Sequence, residues 1–220
     1  MDEATDNIVH DDSGNELHST PTTATTANGK FTRSLYFNGG GGVTIPHNSI
    51  MNVGTGSFSF TGWVKINDYK SDHMTDFAVR QGYGCYFLPG RPGFTAGWEI
   101  GHGHYADVTN VCIRDHLKKV ARKYIKHDKE FSSQRLVNKW THYAVVFDRN
   151  TKRANLYING VCQSDFMDIK TVSGSVNNDQ PFTFGGMYGW RTKGNIEEYR
   201  FYRGALTQND VKIIFQDHTV

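Results

Sequence analysis

The chain lacks most of the features that would declare an activity. No run of roughly 18 or more apolar residues occurs, so no segment reads as a membrane-spanning helix. The opening MDEATDNIVHDD is acidic and polar, without the basic-then-apolar order of a secretory signal. Either such a signal has been removed, the first Met was added for expression, or the protein leaves by another route, such as release with a virus or phage particle. A net charge of +2 gives no bulk argument for nucleic acid. No GxSxG is present, so no nucleophile elbow can be drawn. Three cysteines without a CxxC pair argue against a zinc site, and an odd count leaves at least one thiol free or paired between chains. Cys85, Cys112 and Cys162 read as buried apolar side chains, with a Cys85–Cys112 disulfide as the alternative. The absence of any Asn-x-Ser/Thr sequon leans against eukaryotic secretion.

What is present is the material of strands. Gly, Thr, Tyr and Phe are abundant while Leu and Ala are sparse. At 220 residues the chain suffices for one undivided all-β domain, and it carries no internal repeat. The clearest stretch is Asn138 to Gly160. Trp140, Tyr143, Val145 and Phe147 mark one strand, and Ala154, Leu156 and Ile158 the next. Asp148-Arg149-Asn150-Thr151 supplies the turn between them, and Asn159-Gly160 opens a second. A Thr-rich polar link spans residues 16–30, and Gly39 to Gly42 form a four-glycine turn. Phe77–Arg80, Tyr83–Leu88 and Phe94–Ile100 read as strands, the last two joined at Pro89–Gly93.

Lys139–Asp148 resembles the "KWHHVAVTYD" strand of laminin-G-like, concanavalin A-type jelly rolls, and Leu156–Gly160 matches their "LYVDG". Further motifs follow in the family's order. Val9–Asn15 is similar to "VYDSSGN", Ser34–Gly39 to "ALSFDG", Val43–Pro46 to "VTIP", and Phe58–Lys65 to "FTIEFWVK". Near the end, Gly194–Tyr202 resembles "GLIDEVRIY", continued by Arg203–Thr207. The resemblance implies an all-β concanavalin A-like β-sandwich (jelly roll) over residues 1–220, with a sugar- or partner-binding role.

One segment departs from that pattern. In Arg114–Arg135 the apolar residues Leu117, Val120, Ala121, Tyr124, Ile125 and Phe131 fall at spacings of three and four, which predicts an amphipathic helical insertion over 115–131. Eight Lys or Arg against three acids make it basic. It reads as a solvated helix on the sandwich edge, or as an arm for an acidic glycan, a phosphate-rich surface or a neighbouring subunit. No base-reading module accompanies it.

Glycosidases on the resembled sandwich place two carboxylates side by side on one strand, about 5 Å apart. Here Glu99 stands alone between Trp98 and Ile100, and adjacent Glu197 and Glu198 point to opposite faces of a strand. Catalysis is not expected. Saccharide rings pack their C–H faces on aromatics while their hydroxyls require fixed polar partners. Candidate ligand-binding residues are Tyr83, Trp98, His102, His104 and Tyr105 on one sheet, with Tyr188, Trp190 and Arg191 on a glycine-lined loop; Trp63 and Trp140 read as core. The His102-Gly103-His104 pair reads as polar surface rather than a metal site. The resemblance also implies one structural Ca²⁺ between the Asp11–Asn15 loop and the Glu197–Glu198 strand, with Asp12, Asn15, Glu197 and Glu198 as ligands. Glu197 stands where the family has Asp, one methylene longer; alternatively, Asp12 and Asn15 hydrogen-bond their own loop. The expected function is a non-catalytic, lectin-like carbohydrate-binding domain at a cell, matrix or particle surface. Its partner would be a glycan or glycoprotein, in an extracellular, cell-surface or virion-surface setting. The alternative is a structural or assembly protein (virion, fibre or adhesin component), as a homo-oligomer or larger assembly.

Overall fold

A computed structural model describes residues 8–19, 24–67, 75–82, 95–103, 107–132, 136–185 and 192–217, with backbone alone at 75–78 and 102–103. In chain order its strands are β1 (Thr25–Asn28), β2 (Arg33–Asn38), β3 (Gly42–Ile45), β4 (Phe58–Ile66), β5 (Thr75–Gln81), β6 (Gly97–Gly103), β7 (Val108–Arg114), β8 (Val120–Lys126), β9 (Trp140–Asp148), β10 (Arg153–Ile158), β11 (Val161–Asp168), β12 (Phe182–Gly185) and β13 (Lys193–Tyr202). One helix, α1 (Gln208–Gln216), follows them. The strands form two antiparallel sheets. The seven-stranded sheet runs β1-β2-β13-β4-β9-β10-β11, and the six-stranded sheet β3-β12-β5-β6-β7-β8.

Alternation builds the core between them. On β4, Phe58, Phe60, Val64 and Ile66 point to the interior, and on β9 so do Tyr143, Val145 and Phe147. Phe58 stacks on Phe147 at 4.4 Å between ring centroids, and Trp98 stacks on Phe201 at 5.8 Å. The Asn138–Gly160 hairpin forms as its sequence predicts. Arg153 pairs with Asp148 and Ile158 with Tyr143, while Asp148 Oδ1 accepts the N–H of Asn150 and Thr151 across the turn. Asn159 and Gly160 both have positive φ, +49° and +77°, as a two-residue hairpin loop into β11 requires.

The seven-stranded sheet also packs outward. Val146, Ala144 and Tyr157 on its outer face form a second cluster with Val211 of α1, and Phe215 stacks on Trp63 at 5.5 Å. The helix starts at a capping box, with Thr207 and Asp210 each satisfying the other's backbone N–H.

The predicted helix over 115–131 does not form. Its place is taken by the β7–β8 hairpin and a short 3-10 turn at Lys129–Phe131. Val-Ala-Arg-Lys-Tyr-Ile-Lys satisfies both periods. Packing decides between them: Ala121 and Ile125 are buried, while Val120, Arg122, Tyr124 and Lys126 are exposed. The turn is fixed by Asp115, whose carboxylate accepts the N–H of Lys119 at 2.9 Å and of Gly174 at 2.8 Å, and by Lys118 at φ +64°.

Candidate functional site

The register of the six-stranded sheet lays a polar row across its outer face. Thr183 of β12 lies opposite Arg80 of β5, Arg80 opposite Glu99 of β6, Glu99 opposite Cys112 of β7, and Cys112 opposite Arg122 of β8. The next row is Gly101, Asn110 and Tyr124. Residues between these, including Val79, Trp98, Ile100, Val111, Ile113, Ala121 and Ile125, turn to the other side and join the core.

A chain of contacts runs through the outer row. Asn110 Nδ2 donates to Glu99 Oε1 at 3.4 Å, Arg122 Nε to Asn110 Oδ1 at 3.1 Å, and an Arg122 terminal nitrogen to the Tyr124 hydroxyl at 2.7 Å. The guanidinium also lies 5.2 Å from the Tyr124 ring centroid, within cation–π range. Glu99 is 5% exposed. Its burial pushes the carboxyl up to about 7, against the opposing pull of Arg80 and Arg122. Among the described residues, the charges acting on it are the two arginines. Next to it, Cys112 is fully buried and disulfide-bonded. Cys162 is a free thiol, and Cys85 lies outside the described residues. This corrects the expectation of three buried apolar cysteines.

Of the sequence-predicted ligand residues, Trp98 is corrected. It is 1% exposed among Phe58, Phe60, Phe147, Phe182 and Phe201, and is no platform for a sugar. Its neighbour Glu99 occupies the outer face instead. His102 lies on β6, its side chain outside the described residues. Tyr83, His104, Tyr105, Tyr188, Trp190 and Arg191 also lie outside them. Among the described residues, Gly103 and Gly185 lie at one end of the sheet and Gln81 at the other. Sequence reasoning missed Arg80, Asn110, Arg122 and Tyr124. The period-two alternation of β8 was the available signal for the last two, masked by their helical spacing.

The proposed calcium ligands divide. Asp12, Asn15 and Glu198 come together in the lining of a cavity of about 630 Å³ that also includes Arg200. Asn15 Nδ2 donates to Ser13 Oγ at 2.7 Å, and Arg200 Nε to Glu198 Oε2 at 3.0 Å. Glu197 is elsewhere. Fully buried, it accepts the N–H groups of Lys30, Phe31 and Thr32 and so holds the turn between β1 and β2. A Cβ at Gly29 would lie 2.6 Å from its carboxylate, so the turn needs glycine there. The separation is that of neighbours on a strand, and next to it the β13–β4 register shifts between Glu197 and Arg200, with Glu198 at φ +54°. Among the described residues no three His, Cys, Asp or Glu converge as a metal group. The four-residue set is not brought together as predicted, because Glu197 is held by the β1–β2 turn, while Arg200 contacts one oxygen of Glu198.

The family model described as Laminin_G_3, Concanavalin A-like lectin/glucanases superfamily, matches residues 37–212. No curated protein matches the sequence. Among solved structures, the binding domain of Paraclostridial Mosquitocidal Protein 1 superposes with a TM-score of 0.71 at 17% identity, over 94% of this chain and 49% of that one. The botulinum neurotoxin serotype D binding domain gives 0.65 at 15% identity, over 97% and 50%. Domain 4 of AbnA, a GH43 extracellular arabinanase from Geobacillus stearothermophilus solved with arabinotriose, gives 0.59 at 22% identity, over 90% and 83%. The chain thus spans about half the length of the toxin binding domains it matches. These likenesses establish a shared sandwich.

Proposed function

Since the chain belongs to the concanavalin A-like lectin/glucanases superfamily, we propose that it is a non-catalytic carbohydrate-binding domain whose ligand meets the outer face of the six-stranded sheet. The observation that carries this reading is the Asn110–Arg122–Tyr124 set on that face. It presents an exposed aromatic ring, oriented by a guanidinium and backed by an amide. Such a ring accepts sugar C–H faces while the fixed polar groups take hydroxyls. A glycosidase would need a second carboxylate beside Glu99, and among the described residues the charged groups acting on it are arginines. Superfamily and fold alone do not choose between binding and catalysis. The arabinotriose complex of the arabinanase domain supports binding as a use of this sandwich. A disulfide at Cys112 favours an extracellular or surface location.

The test is a glycan array, probed with calcium and with EDTA, using the wild type and Tyr124→Ala. We expect binding in both buffers, because the calcium set is not assembled, and a loss of roughly tenfold for Tyr124→Ala. A blank array in both buffers overturns the reading.

A second reading, an assembly component making protein contacts, is favoured by the half-exposed free Cys162 beside exposed Val161 on β11. A monomer elution volume under non-reducing conditions would exclude it.

A further inference from the structure

Building on the glycan-binding reading, we propose that the ligand is an anionic polysaccharide, carrying carboxylate or sulfate groups, laid along the exposed side of the edge strand β8 and the tip of the β7–β8 hairpin. The argument starts from charge. Between Val108 and Lys129 the chain has seven Lys or Arg and two acids. Both acids are used internally. Asp115 holds its own turn and the Gly174 N–H, and Asp128 accepts the N–H of Ser164 at 3.1 Å.

The cations are sorted by face. Lys123 turns inward, pairs with Asp165 of β11 at 2.5 Å and closes the edge of the sandwich. Arg122 and Lys126 point outward on β8, and Lys118 and Lys119 are exposed at the tip. Among the described residues, Lys118, Lys119, Lys126 and Lys129 are in no ion pair.

A merely solvated basic face would separate its lysines with polar residues. Here Leu117 is 55% exposed, Val120 41% and Tyr124 36%, half of the exposed large hydrophobics in the described chain. Large apolar side chains left in water beside unpaired cations mark a contact surface. The seven residues of β8 extend for roughly 23 Å at about 3.3 Å per residue, long enough for several saccharide units in a row. A polysaccharide with acidic groups offers both halves of the match, with C–H faces for Tyr124 and Val120 and anions at intervals for the lysines. An acidic peptide would satisfy the charge but would leave the Tyr124 ring, turned by its bond to Arg122, without a flat partner.

The experiment measures binding of the whole chain to heparin, polygalacturonate, neutral linear arabinan and poly-L-glutamate, at low and at physiological salt. The variants are Tyr124→Ala and the triple Lys118→Gln/Lys119→Gln/Lys126→Gln; all four side chains are exposed, so folding should survive. We expect heparin (the sulfate arm) or polygalacturonate (the carboxylate arm) to bind, with affinity falling by at least about tenfold as salt is raised. The triple variant should lose at least about tenfold and most of the salt dependence. Tyr124→Ala should weaken polysaccharide binding several-fold without changing the salt slope. Binding of arabinan alone, insensitive to the lysines, would overturn the anionic assignment and leave the glycan-binding reading intact. Poly-L-glutamate binding as tightly as either polyanionic sugar would overturn it in favour of an acidic peptide. No binding of any saccharide, here and on the array, would overturn both.

Discussion

Glu99 keeps its proton in the folded chain up to about pH 7, whereas the ordinary carboxyl value is 4.5. Across that window the folded state holds a proton that the unfolded chain has released. Stability therefore falls as pH rises, and below the window both states are protonated and nothing is lost. The full cost above it is about 3 kcal/mol at roughly 1.4 kcal/mol per pH unit. Glu99→Gln should gain on the wild type by that order between about pH 5 and about pH 8, measured by chemical denaturation across the series. A difference that stays constant with pH would mean that Glu99 ionises normally. Glu197 has a different task, accepting the backbone N–H groups of Lys30, Phe31 and Thr32. Glu197→Gln should cost about 1.5–3 kcal/mol, the usual worth of hydrogen bonds to a charged group. Neither role was legible from residue type. Glu99 looked solitary because its neighbours come from three other strands, and Glu197 looked like a metal ligand because a resemblance assigns a position but not the β1–β2 turn that claims its carboxylate.

At the level of elements, the Asn138–Gly160 hairpin was legible because turn chemistry and alternation agree at every step. The β7–β8 hairpin was not. Spacings of three and four on β8 coincide with its period-two pattern, and only pairing with the buried strand β7 breaks the tie. The helix α1 was overlooked for a different reason. Nine residues with a single fully buried side chain carry a weak periodic signal, although Thr207 and Asp210 spell a capping box. Val211→Asp would put a carboxylate into the cluster of Ala144, Val146 and Tyr157. It should destabilise by more than about 3 kcal/mol, or unseat the helix altogether. Tryptophan fluorescence would report this through Trp63, which stacks on Phe215. Glycan binding on the opposite sheet should persist in whatever fraction stays folded.

For the whole molecule, motifs in the family's order were enough to give the sandwich, since each records a strand with its turn. The site was not, because the outer row joins Thr183, Arg80, Glu99 and Arg122 across long sequence separations. The disulfide at Cys112 is a global restraint. Such a bond typically contributes about 2–4 kcal/mol by constraining the unfolded chain. Thiol titration of the unreduced, denatured protein should find a single reactive cysteine, Cys162, and Cys112→Ser should lower Tm by roughly 5–10 °C. Three titratable thiols would contradict the bond.

The helix that seals the seven-stranded sheet gives the sandwich two unequal broad sides, and the proposed ligand surface lies away from it, along the exposed side of β8. On that proposal each copy carries one site. Strength of attachment becomes a matter of how many copies are presented together and how far apart, since tethering a second site can raise overall avidity by about 10²–10⁴ without a new contact. A repetitive polymer on one side and an array of such domains on the other would turn a modest single contact into a lasting grip.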